Sequence, residues 1–162
     1  MDADQEAMGL ALAEAALAPA SGDVPVGAVV LDARGDVIGR GHNLREASGD
    51  PLAHAEVVAL QDAARARGGW RLDDCTLVVT LEPCTMCAGA VLASKVGRLV
   101  FGAWDDKAGA VGSRLDVIRD RRPSTGVEVV PGVRAEESTA LLRSFFLPRR
   151  PGAAQEVTPE RG

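Results

Sequence analysis

Apolar positions fall in short blocks separated by turn residues, and the spacing inside each block predicts its element. Residues 1–18 are rich in alanine and leucine with few breakers, which predicts a first helix ending near Ala18-Pro19. Val24 to Leu31 is an apolar run and Asp36 to Gly41 holds a shorter one, with Asp32-Ala33-Arg34-Gly35 between them as a hairpin turn. Val57, Leu60 and Ala64 recur at helical spacing within Ala53 to Ala66, and Gly68-Gly69 ends that helix. Leu77 to Thr80 reads as a buried strand. Cys84 to Ser94 reads as a second core helix with Met86, Ala90 and Ala93 on one side. Strands follow at Arg98 to Ala103 and Val127 to Val130. A last helix runs from Ala135 to Leu147, with Leu141 and Phe145, and Leu142 and Phe146, at i, i+4, before Pro148 stops it. The order αββαβαβ(β)α predicts an α/β fold with helices on both faces of one sheet.

Composition narrows the setting. The 162 residues suit about one domain of roughly 150 residues, here taken as 1–150, with 151–162 as a loose tail holding two prolines. Hydrophobics at 46% and charged residues at 25% are an ordinary globular balance. No apolar stretch approaches the roughly 18 residues of a membrane span. The first residues are acidic where a secretory signal is basic, and three cysteines make no disulfide framework. A cytoplasmic protein in a reducing compartment is expected.

The net charge of −5 argues against nucleic acid, but its distribution does not. Residues 1–56 carry 3 basic and 10 acidic groups, whereas 114–150 carry 8 arginines against 5 acids, which leaves room for a phosphate-binding face. Trp70, Phe101, Trp104, Phe145 and Phe146 are the whole aromatic supply, too few for an extended stacking platform.

The chemistry gathers at two short segments. His54-Ala55-Glu56 and Pro83-Cys84-Thr85-Met86-Cys87 each open a predicted helix. Cysteines at i and i+3 share a helix face, and a helix N-terminus favours the thiolate that binds metal. Pro83 fits there because its missing N–H has no intrahelical partner. Two thiolates and one imidazole leave a tetrahedral zinc one ligand short, the pattern of catalytic rather than structural sites. A water in the fourth position has its pKa lowered towards about 7. Glu56, at the helix start, is placed to reach that water as a proton shuttle without ligating. His42, beside Asn43 at a strand end, is the alternative fourth ligand, and Cys75 reads as an ordinary buried thiol. A lone Cys-x-x-Cys or His-x-Glu says little. The two together, with about 26 residues between Glu56 and Pro83, are specific.

These two segments form the signature of the zinc deaminases. Val24-Pro25-Val26-Gly27-Ala28-Val29, Asn43, Asp50-Pro51-x-Ala53-His54-Ala55-Glu56 and Thr80-Leu81-Glu82-Pro83-Cys84-x-Met86-Cys87-Ala88-Gly89-Ala90 resemble the bacterial tRNA adenosine deaminases. So do Phe101-Gly102-Ala103-x-Asp105-x-Lys107-x-Gly109-Ala110 and the late Phe145-Phe146, and together these segments span residues 24–146. The resemblance implies a cytidine deaminase-like three-layer α/β/α sandwich around one mixed sheet of about five strands. It implies one Zn2+ per subunit on His54, Cys84 and Cys87, and hydrolytic deamination of adenosine to inosine at the wobble position of a tRNA anticodon, commonly of an arginine tRNA.

By the same resemblance Glu56 carries the protons, Asn43 hydrogen-bonds the base, and the Ala55 backbone and the wall around Val26 position it. Asp105 lies near the sugar next to the target, where a 2′-OH contact favours RNA. A turn side chain bonding its own backbone is the plainer reading of Asn43, and a loop-capping carboxylate that of Asp105. Relatives are homodimers that bind RNA across both subunits, so the anticodon stem-loop and a second copy are the expected partners. Arg119, Arg121, Arg122, Arg143, Arg149 and Arg150 are candidate phosphate contacts.

The sequence departs from the family pattern at three places. Ser124 and Thr125 stand where tRNA enzymes carry an Asn-His pair, and Glu137-Ser138 replaces a Glu-Cys pair. Trp104 occupies a position often polar or basic, as a surface or interface aromatic or as a base-stacking one. A zinc deaminase of free bases or nucleosides, of guanine or cytosine type, is the alternative. A non-catalytic zinc or RNA-binding subunit is a third reading, which the intact Glu56 opposes.

Overall fold

The computed structural model describes residues 2–119 and 126–147. In chain order these form α1 (Ala3–Ala15), a 3₁₀ turn (Ala18–Ser21), β1 (Gly27–Leu31), β2 (Val37–His42), α2 (Arg45–Ser48), α3 (Ala55–Arg67), β3 (Thr76–Leu81), α4 (Thr85–Ser94), β4 (Arg98–Ala103), β5 (Glu128–Val130) and α5 (Ala135–Phe146). The strands make one sheet in the order β2-β1-β3-β4-β5. β1 runs antiparallel to β2 and β3, whereas β3, β4 and β5 are parallel. The expected five-stranded mixed sheet is therefore present.

Both faces of the sheet are covered, which is why its central strands read as apolar runs rather than as alternations. Val29, Val78 and Val100 point to one face, against Ala7, Met8, Ala11 and Leu12 of α1 and Leu141 of α5. Ala28, Val30, Leu77, Val79, Leu99 and Phe101 point to the other, against α3 and α4. The sandwich has three layers.

Four expectations shift in detail. The first helix stops at Ala15, and Pro19 opens the 3₁₀ turn beyond it, closed by Gly22 at φ 80°. The short helix α2 has no apolar period to betray it. In the two helices beneath the sheet Leu60 is buried as expected, but the rest of each expected face is displaced. Ala55, Ala59 and Ala63 of α3 face the sheet, while Val57 and Ala64 are only half-buried; in α4 the buried side is Cys87, Ala88 and Val91, and Ala93 is exposed.

For α3 the physical reason lies in β2. A side-chain carbon on Gly39 would collide with the Ala59 carbonyl and Ala63, and one on Gly41 with the Ala55 carbonyl and the Ala59 amide. Strand and helix approach backbone to backbone, so alanine is the residue that fits the buried side. The Ser124 and Thr125 departures, Pro148 and the expected tail 151–162 lie outside the described residues. Among the described residues no helix is long and apolar enough to cross a membrane.

Candidate active site

The site lies at the carboxyl ends of β3 and β4, the usual ligand-binding edge of an open α/β sheet. His54 and Cys84 are the N-cap residues of α3 and α4, and neither makes a side-chain capping bond. Both side chains turn instead towards a common point, which Cys87 reaches from the first turn of α4. His54 Nδ1 lies 3.6 Å from Cys84 Sγ and 3.5 Å from Cys87 Sγ. All three donor atoms fall within 4.8 Å of one another, and among the described residues no other group of three or more His, Cys, Asp or Glu side chains converges in this way.

The donor set fits zinc. Tetrahedral zinc with Zn–S near 2.3 Å and Zn–N near 2.05 Å puts nitrogen and sulfur about 3.6 Å apart, which is the separation found. Of the three donors, the electrostatics ready Cys84 alone as its thiolate, and zinc must displace the protons of the other two. The Cys84 thiol is lowered to about 3, first by its hydrogen bond with Cys87, against the cost of burial, and then by His54 and the Cys87 backbone N–H. Cys87 is pushed up by the thiolate beside it and by burial, so the pair shares one proton. Hydrogen bonding to Cys84 raises His54, against desolvation.

Glu56 stands beside this set, not in it. It is only 4% exposed, and its Oε2 accepts from Cys87 Sγ at 3.3 Å. Burial raises its pKa, the direction that lets a carboxyl hold and release protons nearer neutral pH. The alternative ligand His42 is elsewhere: its Nδ1 hydrogen-bonds Glu14 Oε2 at 3.0 Å, tying β2 to α1. That alternative is not among the converging donors. Cys75 is buried, and desolvation raises its thiol to about 11, so it is inert as expected.

The expected substrate residues are held by hydrogen bonds to the backbone. Asn43 Oδ1 accepts the Ala55 N–H at 2.9 Å, and its Nδ2 donates to the Val24 carbonyl at 3.1 Å, leaving one amide hydrogen. Val26 is buried, and its carbonyl accepts the Asn43 N–H at 3.1 Å. Asp105 Oδ1 caps its own loop through the N–H groups of Lys107 and Ala108, at 3.0 and 3.3 Å. Trp104 is half-exposed and packs edge-on against Phe101, with ring centroids 4.9 Å apart.

Of the candidate phosphate contacts, Arg143 is exposed, while Arg119 is tied to Asp116 and the Val111 carbonyl. Arg121, Arg122, Arg149 and Arg150 lie outside the described residues.

Two buried carboxylates were not singled out from the sequence. Asp23 accepts from the backbone of Glu46 and Ala47 at 2.7 and 3.1 Å and so caps α2, and Ser21 Oγ donates to it at 2.5 Å. Glu82, immediately before Pro83, accepts from Asp105, Val111 and Ser113. Nothing in their local patterns marks either side chain as inward-facing.

Three protein donors on an α/β/α sandwich make this a catalytic zinc domain, because structural zinc sites close with four. The chain belongs to the cytidine and deoxycytidylate deaminase zinc-binding family, whose model matches residues 1–103. It is 49% identical over 147 residues to the tRNA-specific adenosine deaminase of Haemophilus influenzae, covering 91% of this chain and 85% of that protein. A solved structure from work on A-to-I editing by tRNA:A34 deaminases at the wobble position of transfer RNA superposes with TM-score 0.78 at 38% identity, covering 85% of this chain and 99% of that one. Guanine deaminase from Nitrosomonas europaea superposes with TM-score 0.72 at 30% identity, covering 87% and 83%.

Proposed function

We propose that this enzyme hydrolytically deaminates adenosine to inosine at the wobble position of a tRNA anticodon, working in the cytoplasm as a homodimer. The observation that carries the reading is the cleft beside Cys84, one of the three metal donors. Cys84, Thr85 and Met86 line an open space of about 430 Å³ whose other wall carries Lys107 and Arg114. An open cleft that carries two cations and reaches a metal donor suits a base attached to a phosphate chain. Similarity to tRNA-specific adenosine deaminases supports the same substrate.

Zinc held by His54, Cys84 and Cys87 supplies Lewis-acid activation of a water at neutral pH. Glu56 takes the proton from the attacking water, passes it to the ring nitrogen, and serves the departing ammonia. Its burial and raised pKa support that duty. The free Asn43 amide hydrogen is offered to the base, Val26 and Ala55 wall the pocket, and Asp105 presents its remaining oxygen to the neighbouring ribose.

The homodimer reading rests on the face that α3 and α4 share. Val57, Ala64, Ala90 and Ala93 line an apolar groove of about 280 Å³ beside Trp70, which is 60% exposed. Such a face suits a second copy.

The test is nucleoside mass analysis after incubation with an arginine anticodon stem-loop bearing a wobble adenosine, beside free guanine, adenine and cytosine. Inosine from the stem-loop, absent with Glu56→Ala, is expected. Ammonia from a free base with an untouched stem-loop would overturn the reading in favour of the guanine-deaminase type.

A further inference from the structure

The Glu82 carboxylate has no part in that mechanism, yet it is 2% exposed and bonded on both oxygens. Oε1 accepts the Asp105 N–H at 3.0 Å and the Ser113 hydroxyl. Oε2 accepts the N–H groups of Val111 and Ser113 at 2.9 and 3.1 Å. These donors are the two ends of one loop, residues 105–113, which leaves β4 and crosses the metal ligand Cys84.

The neighbouring backbone continues the same seam. The Glu82 N–H donates to the Ala103 carbonyl and the Ala110 N–H to the Pro83 carbonyl, both at 2.8 Å, and Cys84 and Gly109 form an antiparallel bridge. The loop passes so close that a side-chain carbon on Gly109 would overlap the Glu82 carboxylate and the Asp105 carbonyl. A sequence that places glycine there and a buried carboxylate beneath it closes the loop onto the metal-binding turn.

We infer that Glu82 is a positioning residue: it clamps the loop carrying Asp105 and Lys107 against Cys84, and so sets how the substrate's phosphate chain is held, while leaving the metal donors unchanged. The kinetic consequence rests on the tRNA reading above. The structural clamp does not.

Glu82→Gln tests it with unusual resolution. Glutamine offers one carbonyl and one NH2 group. Two fixed N–H donors meet Oε2, so the carbonyl takes that side and the NH2 faces the Asp105 N–H, where two donors oppose. The Ser113 hydroxyl rotates to accept, but the Asp105 amide cannot.

Amide hydrogen exchange on the zinc-loaded protein should therefore show Asp105 faster by about tenfold or more and Val111 within about threefold of the parent. Zinc should stay at one per chain. The KM for the stem-loop should rise about tenfold with kcat within about threefold. Unchanged exchange at Asp105, loss of zinc, or a kcat loss at unchanged KM would each overturn the assignment. If Glu82→Gln does not fold, Ser113→Ala carries the test: about threefold faster exchange at Asp105 supports the clamp and parent-like exchange defeats it. A parent protein that makes no inosine defeats the tRNA reading alone, and the exchange arm still decides the role of Glu82.

Discussion

Asn43 does for α3 what its own N-cap residue does not. Its Oδ1 accepts the Ala55 N–H at 2.9 Å from twelve residues upstream, because the His54 side chain is turned towards the metal donors. The first N–H groups of a helix have no intrahelical partner, so the distant amide satisfies one of them. Helix start and metal ligand are thereby assigned to different residues.

Replacing Asn43 should cost stability as well as activity. Asn43→Ala strands the Ala55 N–H, at a cost of about 1–3 kcal/mol, whereas the Val24 carbonyl keeps the Val26 N–H at 2.8 Å. Asn43→Asp keeps the acceptor at a helix N-terminus and should lose about 1 kcal/mol. Denaturant unfolding of both variants checks the order. An Asn43→Ala protein as stable as the parent would remove the capping role.

Glu56 should separate metal binding from turnover. Its oxygen meets Cys87 Sγ at 3.3 Å but is not one of the three converging donors. Glu56→Gln has nearly the same shape, so zinc should remain at one per chain. Turnover should fall by about 10²–10⁴-fold, the usual contribution of a positioned proton carrier. Metal analysis beside the deamination assay reads both. Zinc lost in step with activity would make the carboxylate part of the metal site instead.

How much of this was legible in the residues depends on which physical signal each feature leaves. The metal donors announce themselves because cysteine and histidine are scarce here and their spacing is set by coordination geometry. The sheet was legible because strands buried on both faces must be apolar throughout. The orientation of α3 and α4 was not. Ala55, Ala59 and Ala63 bury as fully as larger residues would, but only because Gly39 and Gly41 admit the helix so closely, and that pairing joins residues far apart in sequence. Of the larger side chains at helical spacing, Leu60 is buried with the core and Val57 lies half-buried on the outer groove. Glu82 was hidden for a related reason. Its partners lie 23 to 31 positions onward, so no local pattern separates it from a solvent-facing glutamate.

The replacement of a Glu-Cys pair by Glu137-Ser138 has a structural cost. Ser138 is 1% exposed and its Oγ has no hydrogen-bond partner among the described residues, while a side-chain carbon on Gly102 would crowd that oxygen. A buried hydroxyl left unpaired costs about 1–3 kcal/mol. Ser138→Ala should therefore leave stability unchanged or raise it by about 1 kcal/mol, which thermal or denaturant unfolding reads. A clear loss of stability would mean that the hydroxyl is bonded.

Acid should weaken the tie between α1 and the sheet. Asp4, in the first turn of α1, receives Arg98 Nη1 and Nη2 at 2.5 and 2.7 Å, with both side chains largely covered. The Arg98 hydrogen bonds lower the Asp4 pKa, against the desolvation that burial brings. A folded-state pKa below the unfolded value of about 3.9 gives stability that is fully present above that value and lost as pH falls through the folded one. The pair is worth up to about 1 kcal/mol for a partly exposed site. Asp4→Asn should therefore be less stable than the parent by about that amount at pH 7, and the gap should narrow as pH falls below the unfolded value. A gap that persists unchanged in acid would assign the loss to the helix start, where the Asp4 charge also meets the dipole, rather than to titration of the Arg98 pair.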